Sequence, residues 1–420
     1  MKPGLISPTA NHISTFMLPL RTTRKQRWLC ALALAIILGV VAPPSALGQK
    51  FTVLYSFKGG ADGSVPTSSV VRDAAGNLYG TTFYGGNATC LDGCGTVFKV
   101  DATAKETVLY RFTGGADGSA PNAGLIRDNA GNLYGTTGSG FPLTCSSASC
   151  GTVFKLDATG VETVLHTFTG PPDGSAPEAV LVRDANGNLY GTTLYGGDVS
   201  NCGLGCGTVF KLDSSGNETV LYSFIDAADG GLPSAGVIRD GAGNLFGTTV
   251  GGGASNSGTL YKIDATGKET VLYSFTGGAD GGSPFAGLVA VGAKVYGTTG
   301  SGGAYGYGTV FKVDKVNKSG KETVLYSFTG GADGYNPSAG LVRDAAGNLY
   351  GTTSGGGFSN YGTVYKIDAT GKRTLLYSFT GGADGQHPFA GLIRDAAGNL
   401  YGTAEFGGAF GLGTVFKLAP

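Results

Sequence analysis

Residues 340–379 read GLVRDAAGNLYGTTSGGGFSNYGTVYKIDATGKRTLLYSF, and close variants of this phrase fill the chain from Phe51 to its end. The aromatic near the close of each copy, or its stand-in, falls at Tyr55, Tyr110, His166, Tyr222, Tyr273, Tyr326 and Tyr377. The intervals are 55, 56, 56, 51, 53 and 51 residues, the signature of an array of supersecondary units that stack on one another. Each copy holds four strand-like segments. In the copy quoted, residues 340–343 and 348–353 flank the turn Asp344-Ala345-Ala346-Gly347, and residues 362–367 and 374–379 flank Asp368-Ala369-Thr370-Gly371. Asp bonds back to nearby backbone and Gly accepts positive φ, so both read as hairpin turns. Four antiparallel strands in about 50 residues make the blade of a β-propeller. The rival, a parallel β-helix, has coils of roughly half that length.

First strands fall at Val70, Leu125, Leu181, Val237, Leu288, Leu341 and Leu392, which predicts seven blades. The repeat phase then predicts how the ring shuts. Residues 51–57, FTVLYSF, are a fourth strand without its own preceding three, and residues 413–418, GTVFKL, are a third strand without its fourth. Strand 52–57 is therefore expected to pair with strand 414–418, completing the last blade and removing an exposed sheet edge. In the fifth unit Leu288-Val289-Ala290-Val291-Gly292-Ala293-Lys294 replaces the Arg-Asp-Ala-Ala-Gly turn, and a shorter turn keeps the hairpin. Gly makes up 77 of 420 residues and charged residues only 14%, so the fold class expected is all-β with almost no helix. The strands are too densely apolar for a one-sided sheet, as face-to-face packing of blades requires.

Residues 1–48 differ in kind. Arg21, Arg24, Lys25 and Arg27 precede an apolar run from Trp28 to Ala42, then Pro43, Pro44 and the small-residue stretch Ser45-Ala46-Leu47-Gly48. That is the order of a secretory signal peptide. The run of about 15 residues is shorter than the ~20 that span a bilayer. Domains are therefore expected as a signal peptide over 1–48 and a single propeller over 49–420, built of repeats of about 51–56 residues. Processing removes five of the 29 basic groups and none of the 29 acidic ones, leaving a net charge of −5. No basic stripe remains to neutralise phosphates, so no nucleic-acid partner is expected. The mature protein is expected to be secreted (extracellular, periplasmic or surface-associated), monomeric and without a membrane span.

Six cysteines remain, in the short-range pairs Cys90 with Cys94, Cys145 with Cys150 and Cys202 with Cys206, each at the same place in repeats one to three. Local disulfides in an oxidising compartment are expected, worth about 2 kcal/mol each because the loops are short. Zinc is the competing reading, but no His accompanies the pairs.

The phrase G-T-V-F-K-x-D-x-x-G-x-E-T-V-L-Y-S-F, followed by G-G-A-D-G and G-L-x-R-D-x-x-G-N-L-Y-G-T-T, resembles the GloVer tandem repeat of exported bacterial proteins over essentially all of residues 51–420. The L-x-R-D-x-x-G-N-L-Y core is more loosely similar to the NHL-type propeller blade. The resemblance implies an exported repeat protein and carries no catalytic residues to transfer. Some relatives bear a C-terminal surface anchor; this sequence ends at Leu418-Ala419-Pro420 directly after a strand, so no such anchor is expected.

Two rings of loops are expected on one face. One is G-G-A-D-G, with Asp62, Asp117, Asp173, Asp229, Asp280, Asp333 and Asp384; one carboxylate per loop is too few for a calcium site, and a self-capping Asp-Gly turn is the simpler role. The other ring holds the Gly-rich loops where the copies disagree. Tyr84, Tyr195, Tyr305, Tyr307, Phe358, Tyr361, Phe406 and Phe410 lie in them, while Phe285, Tyr335 and Phe389 flank the Asp-Gly turns. Aromatics on rigidly held loops can grip a sugar or peptide; they can equally cover blade junctions. The ligand-binding candidates are Tyr305, Tyr307, Tyr335, Phe358, Tyr361, His387, Phe389, Phe406 and Phe410. His166 occupies a strand-four aromatic position and reads as a packed substitute, and no nucleophile is recognisable beside His387. No catalytic residue, metal or cofactor is expected. The function expected is a binding or interaction module for an extracellular glycan or protein. The alternatives are a propeller glycoside hydrolase or lactonase, with paired carboxylates in the central channel, and a purely structural surface protein.

Overall fold

Seven four-stranded antiparallel sheets follow one another along the chain as the blades of a propeller. The structure, a computed structural model, describes residues 49–138, 150–314 and 321–420. The signal peptide expected over 1–48 and Cys145 lie outside the described residues. The sixth blade runs Val342–Arg343, Leu349–Thr353, Thr363–Ile367 and Arg373–Ser378 in spatial order from first to last. Its innermost strand is only two residues long, shorter than the four expected. The backbone just before it serves the neighbouring blade: the Ala339 carbonyl accepts a bond from Thr298 Oγ1 at 3.3 Å.

The ring closes as the repeat phase requires. Lys50–Ser56 pairs antiparallel with Thr414–Ala419, Phe51 opposite Leu418, beside Leu400–Ala404 and Ile393–Arg394. In the fifth blade Val291 pairs with Lys294 across a two-residue turn whose Gly292 takes φ 54°, so the hairpin survives its shorter turn. Among the described residues the helical content is one 3-10 turn, Gly60–Asp62.

The hydrophobic core is divided among the blade junctions. Each of seven clusters combines residues of two adjacent blades, as Phe57, Val70, Leu78, Phe98, Val100, Tyr401 and Val415 do at the seam. At every junction the phenylalanine ending one blade meets, edge to face, the strand-three aromatic of the next. Phe57 with Phe98, Phe112 with Phe154 and Phe328 with Tyr365 all have centroids 5.1 Å apart. The glycine of L-Y-G-T-T is explained here, because a Cβ on Gly80 would stand 2.7 Å from the Phe98 ring. The threonines of G-T-T and G-T-V pair hydroxyl to hydroxyl across strands two and three, as Thr82 with Thr96 at 2.8 Å. Blade seven has Ala404 at the first of these positions, opposite Thr414.

The recurring Arg-Asp pairs are structural. Asp73 accepts from the Asn77 backbone and side chain and from Tyr79 Oη at 2.9, 2.8 and 3.0 Å. Burial alone would raise the Asp73 carboxyl, but these bonds hold it below the ordinary value. The guanidinium of Arg127 lies over that same Tyr79 ring at 5.7 Å, linking the second blade to the first.

Candidate functional site: the variable-loop face and channel mouth

Among the described residues, the loops entering the blades and the loops between second and third strands lie on one face and are laced together. Antiparallel bridges join Ser64 to Tyr84, Ser175 to Tyr195, Gly231 to Gly251, Gly282 to Ser301, Tyr335 to Gly355 and Gln386 to Phe406. The residue before the proline in each entering loop acts as a rivet. Val65, Ala120, Ala176, Leu232, Ser283, Asn336 and His387 all take left-handed backbone, φ 52° to 58°. For a residue with a Cβ that conformation costs about 1 kcal/mol, and cross-blade bonding holds it. His387 N donates to the Tyr361 carbonyl of blade six at 2.9 Å, and its own carbonyl accepts from Glu405 N of blade seven at 3.3 Å.

The Asp-Gly ring is built into the turns. Asp117 accepts from Tyr110 Oη at 3.0 Å, Thr113 N at 2.8 Å and Thr113 Oγ1 at 2.5 Å. Asp280, Asp333 and Asp384 repeat the arrangement with Tyr273, Tyr326 and Tyr377. His166 stands in for the tyrosine, its Nε2 3.4 Å from Asp173 and its ring edge-on to Phe168 at 4.7 Å. At five junctions a glutamate opening the next blade's outer strand adds a second carboxyl. Burial first, then the charge of the neighbouring aspartate, pushes Glu106, Glu162, Glu218, Glu269 and Glu322 up from 4.5 to about 7. Their aspartate neighbours are Asp62, Asp117, Asp173, Asp229 and Asp280. The sixth junction places the Arg373 cation beside Asp333, and the seventh stacks Phe51 on Tyr377 at 3.9 Å.

The expected disulfides Cys90–Cys94 and Cys202–Cys206 are formed, with Cα atoms 5.2 and 5.4 Å apart. Such bonds belong to an oxidising, non-cytoplasmic compartment. The first has the same job as certain aromatics elsewhere. The sulfurs of Cys90 and Cys94 lie against Gly114, the first glycine of its G-G-A-D-G loop; Tyr307, Tyr361 and Leu412 lie against Gly330, Gly381 and Gly59 in the corresponding places.

The candidate aromatics therefore separate into groups. Tyr307 and Tyr361 cover junction glycines, and Tyr335 packs its ring on Gly355 with its centroid 6.1 Å from that of Tyr307. Tyr361, Phe389 and Phe406 surround His387, with centroids 6.0, 6.4 and 6.5 Å from its ring, and His387 Nδ1 donates to the Ser354 carbonyl at 2.8 Å. Tyr305, Phe358 and Phe410 stand at loop tips, each more than half exposed.

A cavity of about 570 Å³ opens at the axis, lined by the Pro-x-Ala-Gly-type segments of all seven blades. The residue after each proline forms a ring around it: Thr67, Asn122, Glu178, Ser234, Phe285, Ser338 and Phe389. Of the nine candidates only Phe389 lines this cavity, which also admits Glu405 from the loop after strand two of blade seven. Burial raises the Glu178 carboxyl, against a bond from Asn122 that lowers it, and raises Glu405, against nearby His387. Asn122, Glu178 and Glu405 were missed by sequence reasoning. For Asn122 and Glu178 the signal available was the varying position after the proline of a Pro-x-Ala-Gly-like phrase; Glu405, which follows strand two of blade seven, lies outside that phrase.

Repeated blades around an axial cavity, with loops gathered on one face, define a seven-bladed repeat propeller. The chain belongs to the Gloeobacter/Verrucomicrobia repeat family, which it matches over residues 39–224, 141–311 and 199–416. Among solved structures it is similar to the extracellular domain of a proposed hybrid two-component system from B. thetaiotaomicron, at 13% identity and TM-score 0.55, covering 87% of this chain and 39% of that one. The extracellular domain of a proposed one-component system from the same organism gives 14% and 0.53 with the same coverage. This chain thus spans about two fifths of the length of those structures. A proposed 6-phosphogluconolactonase from Bacteroides uniformis is similar at 15% identity and TM-score 0.48, over 76% of this chain and 90% of that one. At these identities the likeness is one of fold. No curated protein matches the sequence.

Proposed function

We propose that this protein is an exported binding module that holds a glycan on its variable-loop face, with the channel mouth as the centre of the site. The observation that carries the reading is the ring after the prolines: seven equivalent backbone positions present seven side chains that follow no repeat. Phe285 and Phe389 are 44% and 38% exposed there, and aromatic faces beside polar groups suit a sugar ring. The loop tips bearing Tyr305, Phe358 and Phe410 extend that surface outward. A glycan-array screen of the full mature chain tests the proposal. Binding to a defined set of glycans, lost in Phe285→Ala with Phe389→Ala at unchanged melting temperature, supports it. No binding to any glycan removes it in favour of a protein ligand or a structural role.

A hydrolase is the second reading, favoured by Glu178 and Glu405 reaching the same cavity from different blades. Release of reducing ends from a bound glycan, abolished by Glu178→Gln, would establish it.

A further inference from the structure

Glu178 and Glu405 are the only acidic or basic side chains among the described residues lining the axial cavity; no Lys or Arg reaches it. Glu178 has no basic side chain beside it among the residues lining the cavity, whereas Glu405 has His387 nearby, which favours its ionised form. The polar neighbour of Glu178 is Asn122, itself bonded by Thr67 Oγ1 at 2.6 Å. The titratable neighbour of Glu405 is His387, whose Nδ1 is committed to the Ser354 carbonyl at 2.8 Å. Removing a carboxylate from water without a counter-charge is costly, and at Glu178 that cost is left for a ligand to offset. Phe285 and Phe389 line the same cavity with exposed ring surface, which attracts a cation as well as an apolar sugar face. Two carboxylates fall well short of the six to eight oxygens that calcium takes.

We propose that the channel mouth is a subsite for a protonated amino sugar, its ammonium group held by Glu178, with Glu405 adding negative charge from another blade, and its ring lying against Phe285 or Phe389. The inference rests on the glycan-binding reading and sharpens it to one chemical class.

The test is calorimetric titration of the full mature chain at about pH 6, where a sugar amine is protonated. The probes are a glucosamine tetramer, its fully N-acetylated counterpart and a neutral glucose tetramer of the same linkage. The glucosamine tetramer is expected to bind at least about tenfold more tightly than either, the scale of one charge-assisted hydrogen bond. Glu178→Gln should erase most of that margin and Glu405→Gln should reduce it, both leaving the melting temperature unchanged, and the margin should shrink at high salt. Equal or better binding of the N-acetylated or glucose tetramer overturns the amine subsite and leaves the glycan-binding reading standing. Full retention of the preference in Glu178→Gln,Glu405→Gln overturns it too. No heat with any of the three, alongside a blank glycan array, overturns both.

Discussion

The five Glu-Asp junctions make a quantitative prediction about pH. Glu106, Glu162, Glu218, Glu269 and Glu322 each sit at about 7 in the folded chain against 4.5 for an ordinary glutamate. Their folded values are raised, so the folded state holds more protons than the unfolded state between those limits. Stability from these groups is therefore complete below about pH 4.5 and lost as pH rises through about 7. For a fully desolvated carboxyl such a rise is worth about 3 kcal/mol; these side chains are half-exposed, and screening reduces the figure to about 1 kcal/mol each. Replacing all five by Gln, which mimics the protonated form, should stabilise the protein by about 5 kcal/mol at pH 8 and by almost nothing at pH 4.5. With an unfolding entropy of ~2.1 cal/mol/K per residue over ~370 residues, that is a rise in melting temperature of about 6 °C at pH 8. Thermal melts of parent and variant from pH 4.5 to 8.5 read the effect directly. The curves should meet at the acid end and diverge through neutrality. Parallel curves would show that the carboxyl pairs do not govern the junctions, and a variant less stable at pH 8 would reverse the sign of the reasoning.

Arg373→Glu should install a sixth carboxyl pair beside Asp333 and remove the bond from Arg373 Nη2 to the Asp333 carbonyl (2.8 Å), lowering the melting temperature at pH 8 more than at pH 5. Phe51→Ala, which removes the ring stacked on Tyr377 at 3.9 Å and lying 5.3 Å from Phe416, should cost about 3 kcal/mol in denaturant unfolding, because it opens the seam that closes the ring. Replacing Cys90 and Cys94 together by Ser should cost about 2 kcal/mol by the same measurement, since the closed loop is short. Tyr110→Phe deletes one of the three bonds to Asp117 and should cost about 1 kcal/mol.

The architecture was legible because a closed ring of repeats writes its topology as period and phase. Strand chemistry, turn chemistry and the offset seam between residues 51–57 and 413–418 all sit within one copy or at the two ends. The role of the Asp-Gly turns was also within reach: each strand-four aromatic stands seven residues before its aspartate, from Tyr55 and Asp62 to Tyr377 and Asp384. Contacts across a junction were not. Asp117 and Glu162 are 45 residues apart, and their meeting depends on how the outer strand of one blade crosses the next, which no local pattern encodes. The left-handed residue before each proline was hidden for another reason. Val, Ala, Leu, Ser, Asn and His occupy it rather than Gly, and X-Pro ordinarily signals extended backbone. There the bonds from both neighbouring blades override local preference.

The copies disagree in the variable loops, and that disagreement has two causes that the structure separates. Cys90–Cys94 in blade one, Tyr307 in blade five, Tyr361 in blade six and Leu412 in blade seven differ chemically while covering one kind of glycine, so their variety reflects several ways to fill one space. The positions after the prolines differ without any such shared task. Their backbone is fixed by the same rivet in all seven blades, and their side chains meet around one axis. A ligand without sevenfold symmetry can be oriented by a ring only where that symmetry is broken. Among the described residues the break is sharpest between Glu178 on one side and Phe285 and Phe389 on others, with Glu405 entering from a different loop. Substitutions at these four positions should therefore change recognition with little change in folding, whereas substitutions at Tyr307 or Tyr361 should lower stability first and alter recognition only through it.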